Sequence, residues 1–207
     1  MIGIIDYGSG NIHAIATIYK NLNIKYEIIS KPKDLDEIEK LILPGVGAFD
    51  ATMKQLIDSG FRDKLNELVL KKGVPILGIC VGLQVMGSGS EEGNMKGLGW
   101  IPGKVKKFDV ETINQKPKLP HMGWNTISNM RNHPIFEGID DDFRFYFVHS
   151  YYFECENQEN RLTTSVYGKE FTSSIYDKHI FGMQFHPEKS HGNGVQLLKN
   201  FAELDLC

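Results

Sequence analysis

The first eighty residues alternate short apolar runs with amphipathic stretches, and this alternation restricts the fold more than any other feature. The apolar runs occupy residues 2–6, 26–29, 40–43 and 75–78. One helical pattern covers residues 11–22, and a second covers 49–69, where large apolar residues recur at three- and four-residue steps. Gly60 lies within the second pattern and predicts its division into two helices. Strands that alternate with helices are typical of βαβ units around a parallel sheet.

The sequence changes beyond about residue 100 to short β-rich segments. They occupy residues 103–108, 124–127, 143–148, 152–155, 162–166, 171–176 and 180–184. A final helical stripe follows at Val195, Leu198, Phe201 and Ala202. Because no linker rich in Pro, Gly or Ser separates the two halves, we expect the second half to extend the same sheet. We therefore predict a single α/β domain over residues 1–207, with a mostly parallel central sheet flanked by helices and an added antiparallel β-rich part.

The composition argues against several classes of protein. With 207 residues, 41% of them hydrophobic, the chain can bury a core without disulfides. Lys and Arg total 23 against 26 Asp and Glu, and a net charge of −3 with mixed signs along the sequence indicates no nucleic-acid partner. Three widely spaced cysteines disfavour a disulfide framework and a zinc site. There is neither a leader pattern nor an apolar stretch near the ~20 residues of a membrane span, so we expect a soluble protein of the reducing cytoplasm.

Cys80 lies where an apolar strand runs into a glycine-flanked turn. The sequence there reads Val-Pro-Ile-Leu-Gly-Ile-Cys-Val-Gly-Leu-Gln at positions 74–84. A nucleophile at a strand-to-helix turn projects from the sheet, and the N-terminus of the following helix favours the thiolate. The alternative is a buried structural thiol, but Gly78 and Gly82 permit a close backbone approach that a packing cysteine would not need. Cys155 and Cys207 lack such a setting, so we interpret them as structural and tail residues.

A histidine and a carboxylate follow about a hundred residues later, in His-Pro-Glu at 186–188. The motif ends an apolar run, so its side chains are expected at the carboxyl edge of the sheet, where open α/β folds place their sites. By itself the motif is interpreted as a strand-end histidine beside a solvated glutamate. With Cys80 upstream, His186 can accept the thiol proton and Glu188 can orient the imidazole. We therefore predict a triad of Cys80, His186 and Glu188.

Three ordered motifs resemble those of class I glutamine amidotransferases. They are Pro-Gly-Val-Gly at 44–47, Gly-Ile-Cys-Val-Gly-Leu-Gln at 78–84 and Gln-Phe-His-Pro-Glu at 184–188. The resemblance implies a flavodoxin-like fold and hydrolysis of glutamine to glutamate and ammonia, with neither a metal nor an organic cofactor. It also implies an oxyanion hole formed by backbone N–H groups of Val46 and Val81. The residues that it places around glutamine are Gly47, Gln84, Ser150 and Tyr151.

The two glycines of the 44–47 loop suggest that its peptide planes can turn. We hypothesise that the oxyanion hole forms only when substrate or a partner is present. This hypothesis predicts that Gly45→Ala or Gly47→Ala would cripple turnover with little loss of stability.

Further motifs resemble the branch of this family that supplies ammonia within imidazole glycerol phosphate synthases. They are Asp-Tyr-Gly-Ser-Gly-Asn at 6–11, Pro-His-Met-Gly-Trp-Asn at 120–125, Tyr-Phe-Val-His-Ser-Tyr at 146–151 and His-Pro-Glu-Lys-Ser at 186–190. The resemblance implies histidine biosynthesis and a heterodimer with a (β/α)₈-barrel cyclase. The cyclase would use the ammonia to form imidazole glycerol phosphate and an aminoimidazole carboxamide ribonucleotide. The residues implied to face it are Asn11, His121, Trp124 and Lys189.

Other interpretations stay open from the sequence. The same chemistry could supply ammonia to a sugar amidotransferase of surface polysaccharide pathways, since the acceptor is a property of the partner. A stand-alone cysteine peptidase or γ-glutamyl hydrolase would need no partner, and a flavodoxin-like binding or regulatory module would carry a vestigial triad. Gly8-Ser9-Gly10 also suggests a dinucleotide site, but His13 occupies the position of the third glycine, so a nucleotide cofactor is rejected.

Overall fold

The computed structural model describes residues 1–129, 132–139 and 142–205. Their strands are β1 (Ile2–Ile5), β2 (Tyr26–Ile29), β3 (Lys40–Gly45), β4 (Ile76–Cys80), β5 (Gly103–Lys107), β6 (His121–Thr126), β7 (Ser128–Asn129), β8 (Arg144–His149), β9 (Tyr151–Cys155), β10 (Arg161–Tyr167), β11 (Lys169–Asp177) and β12 (Ile180–Met183). Their α-helices are α1 (Ile12–Asn21), α2 (Phe49–Asp58), α3 (Phe61–Asn66), α4 (Val81–Gln84) and α5 (His191–Glu203). A π-helical turn at Glu67–Lys71 continues α3.

A ten-stranded sheet forms the centre of the fold. Its main path runs β2-β1-β3-β4-β12-β11-β10-β7, and β9 joins at β11 and carries β5. The path is parallel from β2 to β12 and antiparallel from β12 to β7. The predicted α/β fold with a parallel half and an antiparallel extension is confirmed, although the sheet as a whole is mixed rather than mostly parallel. Strands β6 and β8 pair separately as a two-stranded antiparallel sheet.

The central parallel strands end close together at the edge that carries the predicted nucleophile. β1 and β4 are buried along their whole length, as expected for parallel strands with both faces covered. Both β3 and β4 extend two residues beyond the predicted runs, to Gly45 and Cys80, and these two residues are register partners. The 44–47 loop and Cys80 are therefore held side by side by strand pairing.

The amphipathic stretch at 49–69 forms two α-helices, as predicted, separated at Gly60. Gly60 has a φ of +77°, a left-handed conformation that glycine adopts without a steric penalty. In α5, Leu198 and Phe201 are buried as predicted, and Leu197 is buried with them. None of the helices within the described ranges is both long and apolar enough to span a membrane.

Lys40 joins the start of β3 to the end of α5. Its Nζ donates hydrogen bonds to the carbonyl oxygens of Phe201, Ala202 and Leu204 at 3.1, 2.7 and 2.6 Å. The last carbonyl groups of a helix have no partner within the helix, so a single ammonium group supplies donors for this helix end.

Candidate active site

Cys80 occupies a strained turn between β4 and α4. Its φ of +55° and ψ of −111° lie outside the regions that non-glycine residues normally adopt. Close backbone packing surrounds it: a Cβ on Gly82 would lie 1.9 Å from the Leu43 carbonyl oxygen, and one on Gly78 would lie 2.6 Å from the Gly82 carbonyl oxygen. The flanking glycines are therefore required by packing, as the sequence indicated. Since α4 has only four residues, the turn itself positions the thiol.

His186 and Glu188 follow β12 and form a buried pair beside Cys80. His186 Nδ1 donates to Glu188 Oε1 at 2.7 Å, and the exposed fractions of the two side chains are 2% and 1%. With its Nδ1 proton directed at the carboxylate, the ring has Nε2 left for the thiol. Nε2 is buried and has no hydrogen-bond partner among the described residues. Gln184 Nε2 donates to Cys80 Sγ at 3.8 Å, so a second residue that follows β12 contacts the thiol.

The pKa values of His186 and Glu188 are shifted in opposite directions by their neighbours. Burial lowers the pKa of His186, but the proximity of Cys80 and the hydrogen bond to Glu188 outweigh burial and raise that pKa to about 10. Burial raises the pKa of Glu188, and hydrogen bonds from His186 and Asn11 outweigh it and hold that pKa below its usual range. This geometry therefore favours a protonated His186 ring paired with an ionised Glu188 carboxylate.

Asn11 contacts this buried pair directly. Its Nδ2 donates to Glu188 Oε1 at 2.6 Å, so one carboxylate oxygen accepts hydrogen bonds from both Asn11 and His186. The resemblance had implied only a partner-facing role for Asn11. The structure instead places its amide where it fixes the carboxylate that orients the imidazole.

A cavity of about 510 Å³ opens at Cys80, within the size range of small-molecule sites. The predicted residues on its wall are Asn11, Val46, Gly47, Cys80, Val81, Gln84, Ser150, Tyr151, His186 and Lys189. Glu92, Pro120, Val148 and His149 also line it and were not among the predicted catalytic or glutamine-binding residues. Glu188, His121 and Trp124 are not part of this wall. Glu92 carries no motif in the sequence, and its carboxylate is held by the Phe49 N–H at 2.8 Å.

The Val46 N–H, predicted to stabilise an oxyanion, is engaged elsewhere. It donates to Ser9 Oγ at 3.0 Å, and the same hydroxyl donates to the Val46 carbonyl oxygen at 3.0 Å. An oxyanion donor must be aimed at the developing charge, so an N–H directed at Ser9 does not serve it. The predicted pair of donors from Val46 and Val81 is therefore not assembled in this structure.

The two glycines of the 44–47 loop have different surroundings. A Cβ on Gly45 would lie 2.5 Å from the Gly82 nitrogen, whereas a Cβ on Gly47 would meet no atom within 4 Å. The expectation that Gly45→Ala costs little stability is therefore wrong, because the methyl group would overlap the backbone beside Cys80. Gly47 has a φ of +98°, so the effect of Gly47→Ala on turnover stays a prediction.

A buried chain of hydrogen bonds holds the cavity wall at Tyr151. The Tyr151 carbonyl oxygen accepts from Gln84 Nε2 at 3.1 Å and from His149 Nδ1 at 2.7 Å. Gln84 Nε2 also donates to Gln184 Oε1 at 3.1 Å, so both N–H groups of this amide are directed at the protein. With its proton on Nδ1, His149 accepts at Nε2 from His121 Nδ1 at 3.0 Å. The Gln84 side chain therefore shapes the wall without offering its N–H groups to the cavity.

His121 lies in the interior, which corrects its expected place at a partner surface. Its side chain is 3% exposed and stacks between Phe147 and Tyr167, with ring centroids 4.8 and 4.1 Å away. Burial lowers the pKa of His121 to about 4. Burial, reinforced by His121, also holds the pKa of His149 well below its usual value. Both rings are therefore neutral at pH 7.

The alternation of β6 explains the burial of His121. Successive side chains of a strand point to opposite faces, so His121 points inward while Met122 and Trp124, 61% and 40% exposed, point outward. The predicted strand began at Trp124 rather than at His121, and that boundary error hid the alternation. The period-two pattern from His121 onward is the sequence signal that identifies His121 as a core residue.

Trp124 and Lys189 are exposed, as their expected positions require. Trp124 stacks on His191 with ring centroids 5.0 Å apart, and Lys189 Nζ lies 5.8 Å from the centroid of the Tyr146 ring. Met122 pairs with Val148 across β6 and β8, and Val148 lines the cavity. The outward face of β6 and β8 therefore begins at the rim of the cavity.

The other candidates for a functional role are possible metal ligands and the remaining cysteines. Over the described ranges, no three His, Cys, Asp or Glu side chains are grouped so that they could hold a metal ion. Burial raises the pKa of Cys155 to about 11, which suits a structural thiol. Cys207 lies outside the described residues.

Comparison with known proteins identifies the family of this chain. Residues 3–204 match the family described as glutamine amidotransferase class-I. The chain is 47% identical over 204 residues to the imidazole glycerol phosphate synthase subunit HisH of Leptospira borgpetersenii, covering 99% of this chain and 100% of that one. It is also 47% identical over 208 residues to the protein of the same name from Bdellovibrio bacteriovorus, again covering 99% and 100%.

Solved structures share the fold at low sequence identity. A crystal structure of a glutamine amidotransferase superposes with a TM-score of 0.73 at 18% identity, covering 98% of this chain and 97% of that one. A glutamine amidotransferase from Thermotoga maritima gives a TM-score of 0.62 at 19% identity, covering 98% and 82%. The family match spans nearly the whole described chain and includes Cys80, His186 and Glu188. This protein is therefore an enzyme of the class I glutamine amidotransferase family.

Proposed function

We propose that this chain is the glutaminase subunit of an imidazole glycerol phosphate synthase and hydrolyses glutamine to glutamate and ammonia. The observation that carries the proposal is the buried contact of His186 with Glu188 beside Cys80, at the wall of a 510 Å³ cavity. The full-length identity of 47% to proteins named HisH supports the choice of synthase.

The first half of the reaction is acyl transfer to Cys80. His186 Nε2 holds the thiol proton, and Cys80 Sγ attacks the γ-amide carbon of glutamine, so that the carbonyl electron pair moves to oxygen. The resulting oxyanion accepts hydrogen bonds from the Val81 N–H and from the 44–47 loop once that loop has turned. His186 then gives its proton to the amide nitrogen, the C–N bond breaks, and ammonia leaves a γ-glutamyl thioester.

The second half is hydrolysis of the thioester. His186 accepts a proton from water, whose oxygen attacks the thioester carbon, and the C–S bond breaks to release glutamate. Glu188 stays ionised throughout, because its role is to hold the imidazole in the tautomer with the proton on Nδ1. Asn11 supports that role through its 2.6 Å hydrogen bond to the same carboxylate.

Glutamine binding uses the wall of the same cavity. Glu92 contributes a carboxylate to this wall that is fixed by the Phe49 N–H, so it can pair with the α-ammonium group. Gly47, Ser150 and Tyr151 contribute backbone groups, while Gln84 holds the Tyr151 carbonyl in place. Charge pairing at the α-carbon end leaves the γ-amide directed at Cys80.

The proposed ammonia acceptor is a (β/α)₈-barrel cyclase of the HisF type, bound as a heterodimer in the cytoplasm. The relatives are named as subunits, which supports a second chain. The exposed face around Met122 and Trp124 begins at the cavity rim, so a partner seated there would receive ammonia before it is protonated in bulk water. Lys189 lies at the same rim and offers a cation to that partner.

The test is glutamate release from glutamine by the purified chain, alone and with the cyclase from the same genome and its ribonucleotide ligand. We expect slow release alone and a large rise in the complex. Cys80→Ala should abolish both rates, whereas Cys155→Ala, which removes the other described thiol, should retain them. Release that is equal in the wild type and Cys80→Ala would contradict the proposed chemistry, and the absence of any rise with the cyclase would contradict the proposed acceptor.

A further inference from the structure

A chain of hydrogen bonds runs through the protein interior from β10 to the wall of the cavity. It begins at the Val166 carbonyl oxygen, which accepts from Asn125 Nδ2 at 2.9 Å, and the same nitrogen lies 3.2 Å from His121 Nε2. His121 Nδ1 lies 3.0 Å from His149 Nε2, and His149 Nδ1 lies 2.7 Å from the Tyr151 carbonyl oxygen. Tyr151 lines the cavity, so the chain ends at the substrate site.

Backbone carbonyl groups at both ends fix every proton of this chain. A carbonyl oxygen can only accept, so His149 carries its proton on Nδ1 and accepts at Nε2. His121 therefore donates from Nδ1 and accepts at Nε2, where Asn125 supplies an N–H. The Val166 carbonyl group requires the same orientation of the Asn125 amide from the opposite end. All donors point towards Tyr151, and this order holds only while both rings are neutral.

The two histidine rings lie in an aromatic environment that excludes water. Both side chains are buried, and Phe108 and Phe171 pack against both rings with centroids 5.4 to 6.4 Å away. A polar group that is buried here without a partner would destabilise the fold, and apolar side chains would fill the space without that requirement. A polar chain that is satisfied throughout instead fixes one arrangement of the residues that it joins. The residue that it fixes at the cavity is Tyr151.

The Tyr151 backbone is held with both of its polar groups on one side of β9. Its carbonyl oxygen accepts from His149 and from Gln84 Nε2, so both lone pairs are used. The preceding Ser150 carbonyl oxygen accepts from the Phe108 N–H at 3.3 Å. Since a peptide unit is planar and trans, the Tyr151 N–H points away from Phe108, on the same side of the strand as its own carbonyl oxygen. This side carries Gln84 and the cavity, where the α-carboxylate of glutamine can accept from that N–H.

We propose that His149 is a positioning residue for glutamine, which holds the Tyr151 backbone in its binding orientation and is itself held by His121. The inference rests on the proposed function and adds a determinant of substrate affinity. The α-carbon end of glutamine does not react, so loss of the His149 contact weakens binding of the substrate and of its transition state alike. KM therefore rises while kcat is retained. The loss of one net hydrogen bond corresponds to a change of about five- to tenfold.

The first test compares two amide side chains that each keep one of the two contacts of His149. An asparagine amide takes the place of Nδ1, whereas a glutamine amide reaches the place of Nε2. His149→Asn should keep the donor to Tyr151 and a wild-type KM, while His149→Gln loses that donor and should raise KM about five- to tenfold. In the complex with the cyclase and its ribonucleotide ligand, kcat should stay within about twofold of the wild type in both. His179→Gln, which replaces a histidine bound to the Val69 carbonyl oxygen just before β12, should leave KM and kcat unchanged.

A second measurement removes the chemical step from the comparison. Calorimetric titration of glutamine into the complex, with Cys80→Ala as the background, should give a dissociation constant that His149→Gln raises by the factor seen in KM. Iodoacetamide alkylates Cys80 when the sulfur displaces iodide, and this reaction makes no use of the site for the α-carbon end of glutamine. The alkylation rate of His149→Gln with Cys80 intact should therefore equal that of the wild type, whereas a general disturbance of the site would change it.

The outcomes distinguish this proposal from the proposed function. Cys80-dependent activity in the wild-type complex, together with an unchanged KM in His149→Gln or an equal rise in His149→Asn, would refute the positioning role alone. Loss of Cys80-dependent activity in the wild-type complex would refute the function itself. If His149→Gln fails to fold, His121→Met and His121→Gln give a second comparison, because only the glutamine amide still donates to His149. A higher KM in His121→Met than in His121→Gln is expected, and equal values would overturn the proposal.

Discussion

Mild acid should destabilise this protein through the buried pair of His121 and His149. Both rings are neutral in the fold, and His149 Nε2 accepts the proton of His121 Nδ1 at 3.0 Å. A proton added at that acceptor would place two N–H groups against each other in a site that excludes water. The folded state therefore resists protonation, whereas the unfolded chain accepts it freely.

The size of the effect follows from the pKa of His121. Its value of about 4 in the fold, against 6.5 in the unfolded chain, corresponds to about 3 kcal/mol of unfolding free energy. A folded-state pKa below the unfolded value means that the unfolded chain binds more protons between these values. Stability is therefore lost as the pH falls from about 6.5 towards 4, and His149, shifted in the same direction, adds to the loss.

The two charged residues of the triad, His186 and Glu188, do not change stability between about pH 5 and 6.5, the range in which the histidine pair is tested. The pKa of His186 is raised, so its stabilisation is complete below about pH 6.5 and is lost only as the pH rises towards 10. The pKa of Glu188 is lowered, so its contribution is lost below about pH 4.5. The slope within the window therefore reports the two buried histidines, at up to about 1.4 kcal/mol per pH unit for each.

The assay is urea unfolding followed by tryptophan fluorescence at about pH 7, 6 and 5. The free energy of unfolding of the wild type should fall by about 2 kcal/mol between pH 6 and 5. His121→Gln, whose amide can still donate to His149 without titrating, should show a distinctly smaller slope. His13→Gln, which replaces an exposed histidine, should retain the wild-type slope. Equal wild-type stability at pH 7 and 5 would refute the reasoning.

Three further substitutions test separate contacts. Asn11→Ala removes the 2.6 Å hydrogen bond to Glu188 and should lower kcat for glutamine about tenfold. Asn11→Asp should lower kcat further, because it places a second carboxylate beside Glu188. Wild-type kinetics in both variants would show that the contact is dispensable. Lys40→Met leaves the carbonyl groups at the end of α5 without their donor and should lower the free energy of unfolding in urea by about 1–3 kcal/mol. Lys33→Met, at an exposed lysine, should leave that free energy unchanged. Gly45→Ala should lower the melting temperature by several degrees, since its Cβ meets backbone; a wild-type melting temperature would contradict that packing argument.

Local signals explain why much of the fold and the triad were predictable. The run at 26–29 coincides with β2, and Gly60 separates α2 from α3 because a left-handed residue ends a helix wherever it occurs. The glycines on either side of Cys80 indicate a close backbone approach before any neighbour is known. Such features depend on residues within a few positions of each other, and the sequence contains them directly.

The place of His121 was missed for a different reason. Its motif resembles a family pattern, and a motif identifies residue types without stating which face of a strand they occupy. Burial depends on strand register, and a boundary shifted by three residues removed the alternation that would have revealed it. The pairing of β6 with β8 decides that His121 stacks on Phe147 while Trp124 faces outward.

The sequence by itself determined the βα alternation, the glycine-flanked turn of the nucleophile and the residue types of the triad, because each is encoded by neighbours along the chain. Only the tertiary structure decided that Ser9 holds Val46, 37 residues away, and that Asn11 holds Glu188, 177 residues away. These hydrogen bonds join turns at the carboxyl edge of the sheet, where strand order brings distant loops within about 3 Å of each other. Periodicity and local propensity carry no information about which loops meet, so the contacts that hold the site together emerge only when the sheet is assembled.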